Sequence, residues 1–155
     1  IQGERVVPLN SFFVGPGKSV RERELIRELR VPLANFDTLR GGFYKISRTA
    51  EDISLVNAAT TLIIEDGIIT AARLVMGAVA PIPLRAVQAE EALTGQPPTE
   101  ETFRRAAGIV CEEVRPISDH RASADYRRRM SGVAAVRALR QAAGLAPHGE
   151  EWHHA

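Results

Sequence analysis

The stretch NAATTLIIEDGIITAARLVM, residues 57–76, constrains the fold more than any other part of the chain. Two apolar, β-branched runs flank Asp66-Gly67. Asp-Gly supplies the positive φ angles that a tight turn between antiparallel strands requires, so the stretch predicts a hairpin. Side chains alternate along a strand. Ala58, Thr60, Leu62 and Ile64 therefore share one face, and Asn57, Ala59, Thr61 and Ile63 the other.

The chain changes character near Pro81: β-branched residues and short alternations precede it, and alanine, arginine and glutamate at helical spacing follow. Strands followed by helices predict an α+β domain. GFYKIS, Gly42 to Ser47, reads as a second strand region. ELIRELRVP, Glu24 to Pro32, admits two readings: Leu25, Ile26 and Leu29 suit a helix, whereas Leu25, Leu29 and Val31 suit one strand face. Pro32 pushes Val31 to extended geometry, which favours the strand. Three helices are expected after Pro81. One runs from Leu84 to Leu93 and stops at Gly95. A second is capped by Thr99, with Glu100 and Glu101 in the first turn where the macrodipole favours anions. Phe103, Ala107 and Val110 give it an apolar stripe. A third is capped by Ser123 and runs to Ala143 before Gly144, with Tyr126, Met130, Val133, Val136 and Leu139 as its stripe. The tail 146–155 has no periodic pattern and is expected to be mobile.

The 155 residues fit one domain, and 45% hydrophobic with 25% charged residues places the chain in the globular class. A net charge of +1 with 5% aromatics argues against a nucleic-acid surface, even though Arg127, Arg128 and Arg129 are adjacent. That arginine run reads as a solvated helix face or a subunit contact. No apolar run is long enough to span a membrane. Cys111 stands alone, so no internal disulfide forms, and a reducing, cytoplasmic setting is favoured. Cys111 itself reads as a small buried apolar group. The first residue is Ile, and no signal peptide is visible, so the chain reads as part of a longer protein.

FFVGPGKS, Phe12 to Ser19, ends like a P-loop, but position 12 is Phe where the first glycine belongs, and no buried strand precedes it. A turn or linker is the better reading. His148, His153 and His154 lie in the tail without a fixed ligand set, so no metal site is expected. Asp119 and His120 are neighbours in sequence, which suits a loop or helix entry better than a catalytic dyad. The most chemically loaded segment is FYKISRTAEDIS, Phe43 to Ser54. It leaves a strand, carries Lys45, Arg48, Glu51 and Asp52, and is expected to re-enter a strand at Ile53. It is either an ordinary exposed connection or a loop that presents a cation and a carboxylate to a bound group.

FFVGPGKS, ELIRELRVP, FYKISRTAEDISLVNAA, VAPIPLRAVQAEEALTGQPPTEE and PISDHRASADYRRRM, taken in order from Val7 to Leu139, resemble the C-terminal domain of the FAD-binding medium subunit of molybdenum hydroxylases. This is the carbon monoxide dehydrogenase and xanthine dehydrogenase family. The resemblance implies a small antiparallel sheet of three to four strands backed by three helices. It implies that residues 1–23 are a connector from a preceding FAD domain, and that 24–145 form the domain itself. It implies a partial FAD site, because the glycine-rich loops that grip the pyrophosphate belong to the preceding domain. On the residues that match, Lys45 would place a cation near the flavin, where it would stabilise the charge gained on reduction. Asp52 and Ile53 would lie on a loop beside the ring, and Ile26 would pack against it. Thr49 and Ala50 depart from the more basic loop of many members. The partners implied are a molybdopterin-binding large subunit and a small subunit with 2Fe-2S clusters, which pass electrons to FAD and on to an acceptor. The alternative is a docking module that serves subunit assembly without touching the flavin.

Overall fold

Asp66 and Gly67 have φ angles of 51° and 77°, so the turn that their chemistry demands is the one formed. The computed structural model describes residues 3–32 and 38–145. In it β1 (Phe13–Gly15) and β2 (Lys18–Ser19) form a short ribbon, preceded by one 3₁₀ turn at Leu9–Ser11. β3 (Leu39–Ile46), β4 (Val56–Glu65), β5 (Ile68–Gly77) and β6 (Leu84–Arg85) form an antiparallel sheet in that spatial order. α1 (Val87–Leu93), α2 (Glu100–Glu113) and α3 (Ala124–Ala142) follow. The α+β class, the sheet of three to four strands and the three helices are therefore as expected. The 146–155 tail, with His148, His153 and His154, lies outside the described residues.

One face of the sheet carries the core. Val56, Ala58 and Leu62 of β4 and Leu74 and Met76 of β5 are buried against Leu93, Phe103, Val110 and Leu139. Buried Thr60 joins that face because its hydroxyl donates to Arg73 O at 2.8 Å. Between Ile63 and Ile64 the register shifts: Ile63 faces Ala71 but Ile64 faces Ile69, leaving Thr70 as the extra residue of a bulge. The bulge resets the alternation, so Ile69 and Ala72 both point into the core.

α3 packs against β3 and β4 with a different stripe from the one expected. Its buried residues are Arg127, Ser131, Gly132, Ala134, Ala135, Ala138, Leu139 and Ala142, while Val133 is exposed and Tyr126, Met130 and Val136 lie at the margins. The reason is close approach. A Cβ on Gly42 would fall 2.9 Å from Ala142 N and closer still to Ala138 O, so only small residues fit beneath the helix. Volume selected the buried face here, where hydrophobicity alone suggested its neighbour.

The N-caps of α2 and α3 form as read: Thr99 Oγ1 accepts from Thr102 N, and Ser123 Oγ from Tyr126 N. The first helix does not start at Leu84. Leu84 and Arg85 pair with Met76 and Val75 as β6, and α1 begins at Val87. Ala86 offers α1 no side-chain cap, and the Glu113 carboxylate at the end of α2 accepts from Gln88 N and Ala89 N at 3.2 Å each instead.

Parts of both sheet edges are covered by such contacts. Beyond β6, Leu74 N donates to Glu90 Oε1 at 2.9 Å, Leu74 O accepts from Ala86 N, and Ile69 bonds to Gly95 and Gln96. On the β3 edge Phe43 N donates to Gln141 Oε1 at 3.0 Å. These contacts occupy donors and acceptors that would otherwise recruit a foreign strand.

Glu24 to Pro32 is not a strand: the segment has no regular secondary structure, pairs with no strand, and leaves Leu25, Ile26, Leu29 and Val31 exposed. Pro32 and the alternating apolar residues suit a strand, but a strand also needs a partner ladder. The bidentate bond of the Arg5 guanidinium to Glu24, both contacts at 2.6 Å, ties the segment to the N-terminal arm instead. Phe12 to Ser19 is the β1–β2 ribbon, and Pro16 followed by Gly17 at φ 65° is the residue pair a type II turn favours.

Candidate functional site

The connection between β3 and β4, residues 47–55, is held by its own polar groups. Lys45 Nζ donates to Ala50 O at 2.7 Å and to Asp52 O at 2.9 Å. Ser47 Oγ donates to Thr49 O at 2.7 Å, and Arg48 Nε to Asp52 Oδ2 at 3.1 Å. Leu55 N donates to Ile46 O at 2.8 Å and closes the base. With two carbonyls turned toward the ammonium, the loop sends side chains outward, and Ile53 is 62% exposed.

The sequence expectation for this segment is therefore met in composition and corrected in boundary. β4 begins at Val56, not Ile53, because Leu55 and Val56 are the first residues with a buried place to go. Lys45, Asp52 and Ile53 come together in one unit. Ile26, 55% exposed, sits on the 24–32 segment apart from the sheet's hydrogen bonds.

Lys45 also belongs to the sheet face turned away from the helices. Gly42 points at α3, so Gly41, Phe43 and Lys45 point the other way. Across the sheet, Lys45 is in register with Asn57 and Gly77, and Phe43 with Ala59 and Val75. A Cβ on Gly77 would collide with the Asn57 side chain, so Asn57 lies flat over that glycine. Phe43 is 56% exposed and Ala59 is exposed. None of the N-terminal arm's elements packs on this sheet. At the β3 end, this face offers the carbon of Phe43 and Ala59 beside the Asn57 amide and the Lys45 ammonium, while Arg73 and Arg85 share the same face further along.

Beneath the loop stands Arg127, which sequence reasoning placed on a solvated face or subunit contact. It is 5% exposed. Its guanidinium donates to Leu55 O at 2.8 Å, to Ala78 O at 3.0 Å and to both carboxylate oxygens of Asp119 at 2.9 Å. Five donors in a planar fork suit four such acceptors. Ala78, at φ 63°, is a strained position that this bond helps hold. Asp119 is held well below the usual carboxylate range, first by the Arg121 backbone N–H, then by Ala122 N–H and Arg127. The loop reading of Asp119 and His120 thus stands, since Asp119 organises the entry to α3. A signal for Arg127 did exist: it heads the small-residue series 127, 131, 134, 138, 142 at helical spacing. Glu90 was missed likewise. At 4% exposure its carboxylate bonds Leu74 N and Arg85, and its position three residues before buried Leu93 marks a charge on an apolar face. Cys111 is half-buried, and its thiol donates to Arg128 O at 3.3 Å.

Comparison with known proteins places this architecture. Residues 42–142 match the family described as the CO dehydrogenase flavoprotein C-terminal domain. The xanthine dehydrogenase FAD-binding subunit of Escherichia coli O157:H7 is 31% identical over 128 residues, which cover 81% of this chain and 44% of that protein. The carbon monoxide dehydrogenase medium chain of Hydrogenophaga pseudoflava is 31% identical over 142 residues, covering 90% of this chain and 49% of the relative. Among solved structures, carbon monoxide dehydrogenase from Hydrogenophaga pseudoflava lacking the Mo-pyranopterin moiety gives a TM-score of 0.77 at 27% identity, over 90% of this chain and 49% of that one. Quinoline 2-oxidoreductase from Pseudomonas putida 86 gives 0.66 at 32% identity, over 68% and 37%. The chain spans about half the length of the curated relatives it matches. Sheet, helices and sequence agree over the whole body of the domain, and the chain belongs to the CO dehydrogenase flavoprotein C-terminal domain family.

Proposed function

We propose that this chain forms one wall of the FAD site in the flavoprotein subunit of a molybdenum hydroxylase. The observation that carries the reading is the β3–β4 connection: a self-bonded loop that presents exposed Ile53 beside the sheet face turned away from the helices. A planar, largely apolar ring asks for carbon surface with a few polar groups at its rim. Ile53 and Phe43 offer the carbon, and Asn57 offers a polar group at the rim, so the residues present fit the ring. They do not fit the pyrophosphate. Among the described residues no glycine-rich loop leads into a helix N-terminus, and Gly15-Pro16-Gly17 belongs to the ribbon. FAD would supply reversible electron storage, filled from 2Fe-2S clusters of a small subunit that are fed by a molybdopterin-binding large subunit, and emptied to an acceptor.

The roles of this chain's residues follow. Ile53 packs against one side of the ring and excludes water there. Asp52, braced by Arg48, fixes the loop from which Ile53 projects. Ile26, exposed on the segment that Arg5 and Glu24 tie to the N-terminal arm, would add a second apolar contact to the ring. The half-buried free thiol of Cys111 is consistent with a cytoplasmic setting.

The test is Ile53→Glu in the full-length flavoprotein. A carboxylate pressed on the ring is poorly solvated, so FAD should bind at least about tenfold more weakly, with an altered visible band. Unchanged affinity and spectrum would contradict the reading. Loss of subunit assembly with the flavin unaffected would favour a docking role instead.

A further inference from the structure

We propose that Lys45 is a positioning residue: it acts on the flavin site through the 47–55 loop, by fixing the backbone that presents Ile53. The inference rests on the flavin-wall reading above and adds the means by which that wall keeps its shape. Lys45 leaves the sheet two residues before the loop begins and turns its ammonium into it. Two of its three N–H groups are committed to Ala50 O and Asp52 O, at 2.7 and 2.9 Å. Those carbonyls come from the middle of the loop, where no ladder partner exists. Charge-assisted bonds to two carbonyls two residues apart fix the path of the chain between them and hence the exit direction of Ile53.

The loop is pinned at its far end by a second cation. Arg127 Nη1 donates to Leu55 O at 2.8 Å, from a guanidinium that Asp119 holds in place. Between these two anchors Arg48 and Asp52 pair across the loop, and Ser47 caps Thr49 O. Thr49, Ala50 and Glu51 project outward and are exposed. A loop at a ring with no such bracing would present Ile53 in many orientations, and the ring would lose ordering free energy on binding. The Lys45 ammonium therefore contributes geometry first, because its donors face the loop.

The experiment uses full-length flavoprotein with Lys45→Met, Lys45→Arg, Ile53→Ala and the double variant Lys45→Met/Ile53→Ala. Methionine keeps the aliphatic bulk and removes the donors. In flavin-stripped protein, amide exchange of residues 47–53 should accelerate about tenfold in Lys45→Met, with β4 and α3 unchanged. Lys45→Arg, which keeps a cation with donors enough for both carbonyls, should restore slow exchange. In flavin-loaded protein, Lys45→Met and Ile53→Ala should each weaken FAD retention and shift the visible band. The double variant should be no worse than the stronger single one, because both act through one contact. Unchanged exchange in Lys45→Met overturns the proposal. Additive losses in the double variant also overturn it, since Lys45 would then reach the ring by itself. Faster exchange with FAD retention and spectrum untouched in every variant shows that the flavin-wall reading has failed, leaving only a braced surface loop.

Discussion

Asp119 shows how much one side chain can organise. Its carboxylate takes Arg121 N and Ala122 N as it turns the chain into α3, and it holds the buried Arg127 guanidinium. Arg127 in turn reaches Leu55 O and Ala78 O, which lie far away in sequence. The carboxyl is therefore more acidic in the folded chain than in the unfolded one, where it titrates in the ordinary carboxylate range. A depressed folded value means stabilisation that is complete above the unfolded pKa and is lost as pH falls toward the folded one. Urea midpoints should thus fall steeply as the pH drops from about 5 to about 2, and Asp119→Asn should be less stable at pH 7 with a shallower acid slope. An unchanged slope in Asp119→Asn would show that other carboxylates carry the acid sensitivity.

At the scale of elements, the packing of α3 on β3 decides the layer spacing. Gly42 lies beneath Ala138 and Ala142, and the atoms a Cβ would meet are helix backbone, which cannot swing aside. Gly42→Ala should cost about 3 kcal/mol by lifting the helix, read as a lower denaturant midpoint at constant m. Gly41→Ala is the control: the nearest atom to its Cβ would be Thr60 O at 3.9 Å, so it should cost far less. Equal effects would mean that strand propensity, not helix approach, sets the loss. The same contact explains what was legible in the sequence. The β4–β5 hairpin could be read because Asp66-Gly67 and the alternation are local signals. The caps Thr99 and Ser123 could be read for the same reason. The buried face of α3 could not, because small residues are selected by a glycine on a distant strand. β6 could not, because two residues before a helix carry no period, and only the waiting edge of β5 makes them a strand. The segment 24–32 shows the reverse case: its local pattern suits a strand, yet no ladder is offered to it.

For the whole molecule, the fold makes a division of labour. The helices bury one sheet face and supply stability, while the opposite face carries Phe43, Lys45, Asn57 and Ala59. No described helix is long and apolar enough to cross a membrane. Of the candidate site, the grouping of Lys45, Asp52 and Ile53 was legible because they are close in sequence, and the motif order suggested the family. The braces were not legible, since Lys45 bonds backbone carbonyls and Arg127 reaches Leu55 across the fold. The proposed flavin wall puts the β3–β4 loop at the border of the ring. A crystal structure of the flavin-loaded full-length protein tests it by the distance from the Ile53 side chain to the nearest ring atom. Direct apolar contact, within about 4.5 Å, is the predicted result. A separation of more than roughly twice that contact distance would contradict it.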